Sequence, residues 1–306
     1  MGPLRMTTRR VPVAAPAGSV AAVRRCLRGG AGLVVRYGPR AGLHAVLLAL
    51  AFLYVMPFLW MISTSLKGPS DYLRSGISLV PREIHWDNYI EVFERVPFAT
   101  FYWNTVVVTV MRVVAQIALA AAAGYAFARF RFKGRTLLFV AVLVILMVPP
   151  PVTLVPNFII IRRLGWVNTY TGLVVPTIWS AFGVFLFRQF FLTLPKDLID
   201  AAKLDGCRPW RVFWHIGLPA ARAHIAAFGL LVALYSWNEF LWSLVAATDD
   251  SRRVISVGIY LFQSGYRQEW GLMMAAATIS IVPLLVIFAI AQKHLIRGIT
   301  LTGLKG

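Results

Sequence analysis

Arg112 and Glu239 are the two charged side chains set deep inside long apolar stretches of this 306-residue chain. A cation and an anion so placed have two uses: they neutralise one another across helices, or they contact and gate a polar solute. Gln116, Asn104, Trp237 and Asn238 sit near them in sequence and complete the polar candidates for a pathway. Groups suited to breaking bonds are missing. His44, His85, His215, His224 and His294 have no metal-ligand spacing, and the chain contains no Gly-Lys dipeptide, hence no phosphate-binding loop. No nucleophile elbow or His-Glu-x-x-His run occurs either. The sequence therefore predicts no enzyme activity of its own, no metal and no cofactor.

The elements that must position these residues are read from hydropathy. Hydrophobic residues make up 58% of the chain and charged residues 14%, with a mean hydropathy of +0.70. A soluble domain carries about 25% charged residues, so the solvent is lipid. Six apolar runs are long enough to cross a hydrocarbon core of about 30 Å as helices. They lie near Leu43–Ile62, Trp103–Phe127, Thr136–Phe158, Gly172–Phe191, His224–Ala246 and Gly271–Ala291. Their continuity excludes the alternating strands of a barrel. Pro149-Pro150-Pro151 and Pro156 interrupt the third run, as a broken helix beside a pathway or as a rigid kink. Trp103, Trp166, Tyr170, Trp179, Trp242 and Trp270 fall near run ends and read as interface anchors.

A net charge of +19 ordinarily suggests nucleic acid or an anionic membrane surface, but so apolar a chain has no use for nucleic acid. With a cytoplasmic N-terminus, segments 1–42, 128–135, 188–223 and 292–306 lie inside and carry a net +18. The outer segments 63–102, 159–171 and 247–270 carry +1. This asymmetry follows the positive-inside rule and returns the C-terminus to the cytoplasm. Residues 1–42 read as a basic, mostly disordered cytoplasmic tail, and 43–306 as the membrane domain. Cys26 and Cys207 both fall inside, where a structural disulfide is not expected. At 1.5 Å per residue, Arg112 and Glu239 share a depth of about 10–14 Å below the outer boundary. Equal depth and opposite charge suggest a pair or a shared polar compartment.

The most informative stretch is 194–219, between the fourth and fifth runs. Pro195 and Asp197 suit a helix start, and Leu198, Ala201, Ala202 and Leu204 give a short helix with a small-residue face. Gly206 stands where a left-handed residue stops that helix, Pro209 opens a second one, and Pro219 closes it. Leu198, Leu204, Trp210, Phe213 and Trp214 are expected to be exposed, which argues for a docking surface over a solvated loop.

Asp200-Ala-Ala-x-x-Asp-Gly206, followed by Phe213-x-x-Ile216-x-Leu-Pro219, resembles the E-A-A-x-x-x-G loop of binding-protein-dependent ABC importer permeases. Asp200 replaces the usual Glu, and Cys207 the usual Ala. Asn88-Tyr89, Ala126-x-Ala-Arg129-Phe-Arg-Phe-Lys-Gly134, Trp237-Asn-Glu-Phe240 and Gly303-x-Lys-Gly306 are similar to the carbohydrate-uptake branch, in particular its maltose-type and glycerol-phosphate-type second permease. The resemblance runs from about residue 43 to the end.

It implies an all-α integral membrane protein of the bacterial inner membrane, with six spans and a cytoplasmic coupling helix-turn-helix between the fourth and fifth. It implies that Asp200, Ala201, Ala202, Asp205 and Gly206, with Leu198 and Leu204, meet a separate cytoplasmic ATPase. It also implies as partners a second permease, two ATPase subunits that bind the ATP, an extracytoplasmic solute-binding protein or lipoprotein, and membrane lipid, with a sugar or glycerol-phosphate-type solute. Two other readings stay open: an ion-coupled secondary transporter, for which two intramembrane charges are few, and a non-transporting membrane scaffold.

Overall fold

The computed structural model of the chain describes residues 19–69, 71, 79–263 and 269–302, with side chains placed for positions within 42–290 and for 292. Every regular element among them is helical. Two units are distinguished, residues 1–59 and residues 60–306. Residues 1–18 and the terminal Gly303-x-Lys-Gly306 lie outside the described residues.

Helix α1 is Ser19–Ser65, so the backbone of 19–42 is helical where an irregular tail was expected. Its apolar part, Gly42–Ser65, is long enough to cross a membrane. A short amphipathic helix, α2 (Asp87–Arg95), follows. Asn88 in its first turn fastens the segment ahead of it, its side-chain amide donating to the carbonyls of Ser65 (2.8 Å) and Lys67 (3.0 Å). The second predicted span is α3 (Phe98–Arg129), a single uninterrupted helix.

The next three predicted spans are all broken. The third is α4 (Arg135–Ile145) and α5 (Pro150–Arg163), bent by 98°. Pro149, Pro150 and Pro151 cannot donate to the preceding turn, so the helix stops and restarts with Pro at its first positions. The fourth is α6 (Tyr170–Val174), extended by a tighter turn to Thr177, and α7 (Ala181–Thr193), bent by 50°. Ser180 caps α7, its hydroxyl accepting from the Gly183 N–H at 3.0 Å. The loop that follows holds α8 (Lys196–Leu204), α9 (Pro209–Val212), a wide turn at Phe213–Gly217 and α10 (Leu218–Ala220).

The fifth predicted span, expected to run unbroken through Ala246, is interrupted after Asn238. It consists of α11 (Arg222–Asn238), a break at Glu239-Phe240, and α12 (Leu241–Ala246). After α13 (Ile255–Leu261), helix α14 (Trp270–Thr302) supplies the last apolar run. Among the described residues three helices are thus long and apolar enough to cross a membrane unbroken, and the number reaches six if each bent pair counts as one span: α4 with α5, α6 with α7, and Pro209–Ala220 with α11, bent by 75°.

Helix α3 is the central member. Its face of Ala120, Ala121, Gly124 and Ala128 is buried against α7 and α11 among Val184, Phe187, Phe191, Phe228 and Val232. Small residues are needed at the crossing: a Cβ on Gly124 would come within 2.8 Å of the Arg188 backbone nitrogen. In lipid such close backbone approach supplies the packing energy that the hydrophobic effect cannot.

Candidate functional site

Two constellations carry functional groups: the loop 194–219 and a buried polar column along α3.

The loop is built locally. Pro195 precedes α8 and Asp197 lies in its first turn. At the other end Gly206 adopts φ +77°, the Gly206 N–H donates to the Lys203 carbonyl (3.0 Å), and the Cys207 N–H donates to the Ala202 carbonyl (2.9 Å). These two bonds form the Schellman closure that a left-handed glycine permits. Pro209 then opens α9. Ile199, Ala202 and Val212 form a small core between the two arms, with Cys207 and Ile216 packed on it. Ala202 is therefore an internal packing residue and not part of an outward face, whereas Ala201 is exposed.

Large apolar side chains stand exposed on the loop among charged ones such as Asp200, Lys203, Arg208 and Arg211. Leu204 is 90% exposed, and Leu198, Trp210 and Trp214 are also exposed. Phe213, expected among them, is buried. Its ring lies 5.1 Å from Tyr125 of α3 and 6.3 Å from Phe191 of α7, so it roots the loop in the helices behind it. Trp210 stacks outward from Phe213 at 5.5 Å, and Trp214 lies 5.5 Å from Trp210. A second root is Arg129 at the end of α3, whose guanidinium donates to the Leu194 carbonyl at 2.7 Å. The exposed aromatics are thus joined through Phe213 to α3 and α7. Asp200 pairs with Lys203 at 2.7 Å, and this hydrogen bond holds its carboxyl below the usual aspartate range. Both groups are well exposed, so the pair adds little stability. Asp205 closes α8, its N–H donating to the Ala201 carbonyl at 3.0 Å.

The second constellation answers the question raised by the two membrane charges. Arg112 is 1% exposed and lies 3.8 Å from Glu239. It also donates to the Leu173 carbonyl (2.8 Å) and to the Ser236 hydroxyl (3.4 Å). Glu239 sits at the break between α11 and α12 and caps the second piece. Its carboxylate accepts from the backbone N–H groups of Trp242 (2.6 Å) and Ser243 (3.0 Å) and from the Ser243 hydroxyl (2.7 Å). A carboxylate at a helix start meets N–H groups that otherwise lack partners.

The same device recurs along α3. Gln116 donates to the Thr177 carbonyl at 2.7 Å, in the break of the fourth span. Thr105 accepts from the Ile255 N–H at 2.8 Å, and Asn104 donates to the Ser251 (3.0 Å) and Arg253 (2.9 Å) carbonyls while accepting from the Tyr170 hydroxyl (2.6 Å). Thr105, Thr109, Arg112 and Gln116 fall on one helix face; Arg112 and Gln116 take up the Leu173 and Thr177 carbonyls ahead of the break in the fourth span, while Thr109 and Arg112 also reach the Ser236 hydroxyl of α11. Thr105, Thr109, Ser236 and Ser243 were not singled out from sequence. Their three- and four-residue spacing was the available signal.

The remaining pathway candidates separate. Trp237 is buried and donates to the Ser280 carbonyl of α14 at 3.1 Å. Asn238 is exposed, with its amide turned back to the Leu234 carbonyl at 2.8 Å. Trp242, expected at a membrane boundary, is buried instead and shares the Leu173 carbonyl with Arg112, donating at 3.2 Å.

Residues 116–301 match the family described as binding-protein-dependent transport system inner membrane component. The arabinooligosaccharide transport permease AraQ of Halalkalibacterium halodurans is 36% identical over 84% of this chain and 93% of that relative. The lactose transport permease LacG of Rhizobium radiobacter is 30% identical over 83% and 93%, and the sn-glycerol-3-phosphate transport permease UgpE of Yersinia pestis is 30% identical over 84% and 94%. A chain of a bacterial ABC transporter for import of the acidic polysaccharide alginate superposes with a TM-score of 0.74, at 22% identity, over 84% of this chain and 97% of that one. Half the chain and more carries the family pattern, relatives align nearly end to end, and the protein belongs to the inner membrane components of binding-protein-dependent transport systems.

Proposed function

We propose that the chain is one of two permease subunits of a sugar-importing ABC transporter and that the loop 194–219 is its contact with the ATPase. The observation that carries this reading is a helix-turn-helix with exposed apolar side chains, rooted by Phe213 and Arg129 in the packed helices. A surface of that kind needs a partner, and a rooted one can transmit the partner's motion. Asp200, Ala201, Leu198 and Leu204 are its contact residues, Gly206 and Asp205 its turn, and Ala202 its internal support.

The finer arrangement belongs to the same proposal. Residues 43–306 form the membrane domain and cross six times, with both termini in the cytoplasm, as the +18 against +1 distribution of charge supports. A second permease completes the pore, two ATPase subunits bind the ATP, and an extracytoplasmic binding protein delivers the solute. The solute class follows the relatives, which are named for arabinooligosaccharides, lactose and glycerol phosphate. Arg112, Gln116 and Glu239 serve the pathway indirectly: they hold the broken spans beside it and leave Asn238 as the exposed polar candidate for solute contact. The direct test is affinity purification of the tagged chain followed by uptake of a panel of labelled sugars. An ATPase and a second permease should co-purify, and binding-protein-dependent uptake of a carbohydrate should be restored in a strain lacking the chain. A chain that transports alone, or that retains no ATPase, contradicts the proposal.

A further inference from the structure

From Val96 to Lys196 the sequence contains no aspartate or glutamate. Within that stretch Arg131 and Lys133 occupy the turn between α3 and α4, Arg135 opens α4, and Arg188 of α7 lies within electrostatic reach of Arg135. Among the described residues none of these four has a carboxylate within 4.0 Å. Arg188 rests instead over the Phe139 ring at 4.0 Å, and Arg135 donates to the Phe130 carbonyl at 3.2 Å. Beside them opens a groove of about 370 Å³, lined on its polar side by Arg131, Arg135 and Thr136 and on its apolar side by Phe132 and Leu137. Leu137 is 74% exposed and begins the outward face of α4 with Leu138. Cations, a hydroxyl and an acyl-facing wall are thus joined at one boundary.

We propose that this groove binds the phosphate of an anionic glycerophospholipid from the cytoplasmic leaflet. The phosphodiester oxygens accept from the guanidinium groups of Arg131 and Arg135 and from the Thr136 hydroxyl, and an acyl chain runs along Leu137 and Leu138. The headgroup supplies the negative charge that this part of the chain lacks. Arginine at a polar boundary favours phosphate through its planar set of donors, and anionic headgroups are concentrated at the cytoplasmic surface. A free phosphate ion would gain nothing from the apolar wall. The sidedness of the loop rests on the orientation proposed above.

The test is the amount of phosphatidylglycerol retained by the purified transporter after washing in detergent, read by mass spectrometry, for the wild type, the Arg131→Gln/Arg135→Gln double variant and Lys133→Gln. The wild type and Lys133→Gln, whose residue does not line the groove, should retain the lipid, and the double variant should lose it roughly tenfold. Phosphatidylcholine vesicles and inorganic phosphate should not displace it. Equal retention by all three proteins overturns the proposal, as does displacement by inorganic phosphate, which would make the groove a free-anion site. Loss of the ATPase from the double variant with lipid retention unchanged would assign the groove to protein docking and overturn it as well. The importer reading is checked in the same samples by the co-purifying subunits, and the sidedness by labelling Lys133→Cys with an impermeant maleimide in intact cells. Failure of either is therefore visible separately from failure of lipid binding.

Discussion

Glu239 performs two tasks with one carboxylate: it caps α12 and it faces Arg112. Removing either partner leaves an uncompensated charge in a dry interior, at a cost of about 3–5 kcal/mol. Arg112→Ala and Glu239→Ala should each lower the unfolding temperature of the solubilised complex sharply. The double change Arg112→Met/Glu239→Gln should cost less than the sum of the two, because no lone charge remains and glutamine can still accept at the cap. Thermal unfolding of the four proteins checks this, with uptake kinetics alongside. Single variants of unchanged stability but raised KM would show instead that these residues touch solute. Sequence depth alone placed the two charges together. It left their purpose open because the groups they satisfy, the Leu173 carbonyl and the α12 amides, become available only once the spans break, and an unbroken apolar run conceals the break.

At the scale of the element, the loop 194–219 separates residues that sequence had grouped. Ala201 and Ala202 are neighbours of one type, yet one faces out and the other packs on Ile199 and Val212. Ala201→Trp should therefore abolish uptake while the subunit stays at its normal level in the membrane, whereas Ala202→Trp should lower that level itself, by an overpacking cost of about 1–3 kcal/mol. Immunoblots of membranes together with uptake distinguish the two; identical behaviour would mean that the face is wrongly assigned. Gly206→Ala puts a side chain at φ +77°, costing about 1–2 kcal/mol, and should weaken uptake; Gly206→Pro, whose ring cannot reach positive φ, should abolish it. The helix start, the glycine turn and the restart at Pro209 were legible because capping chemistry is local. The burial of Phe213 was not, since it is decided by Tyr125 and Phe191, which lie far away in sequence and meet it only in the fold.

Across the whole molecule, the apolar runs of the sequence gave the positions of all the long helices, and α3 and the apolar part of α14 match their predicted limits closely. The bends were only partly visible. The proline triplet announced the 98° turn in the third run, but nothing as plain marks the 50° bend of the fourth or the break at Glu239. The first is met by Arg112 and Gln116 of α3, which take up the Leu173 and Thr177 carbonyls, and the second by the carboxylate of Glu239 on the α12 amides. Within residues 60–306 the jointed spans α6–α7 and α11–α12 are bonded to α3, and the loop 194–219 is tied to the same helix. Motion at the loop should thus reach the spans. The charge distribution adds an orientation, so cysteines at Leu204 and Thr248 should react with an impermeant maleimide from opposite sides of the membrane. The central claim is that the exposed apolar face of the loop meets the ATPase, and it is tested most directly by a photo-crosslinking residue placed at Leu204, 90% exposed, and in parallel at Ile199, 6% exposed. Irradiation should join the Leu204 variant to an ATPase subunit and leave the Ile199 variant free; no ATPase adduct at Leu204, or equal adducts at both positions, would contradict it.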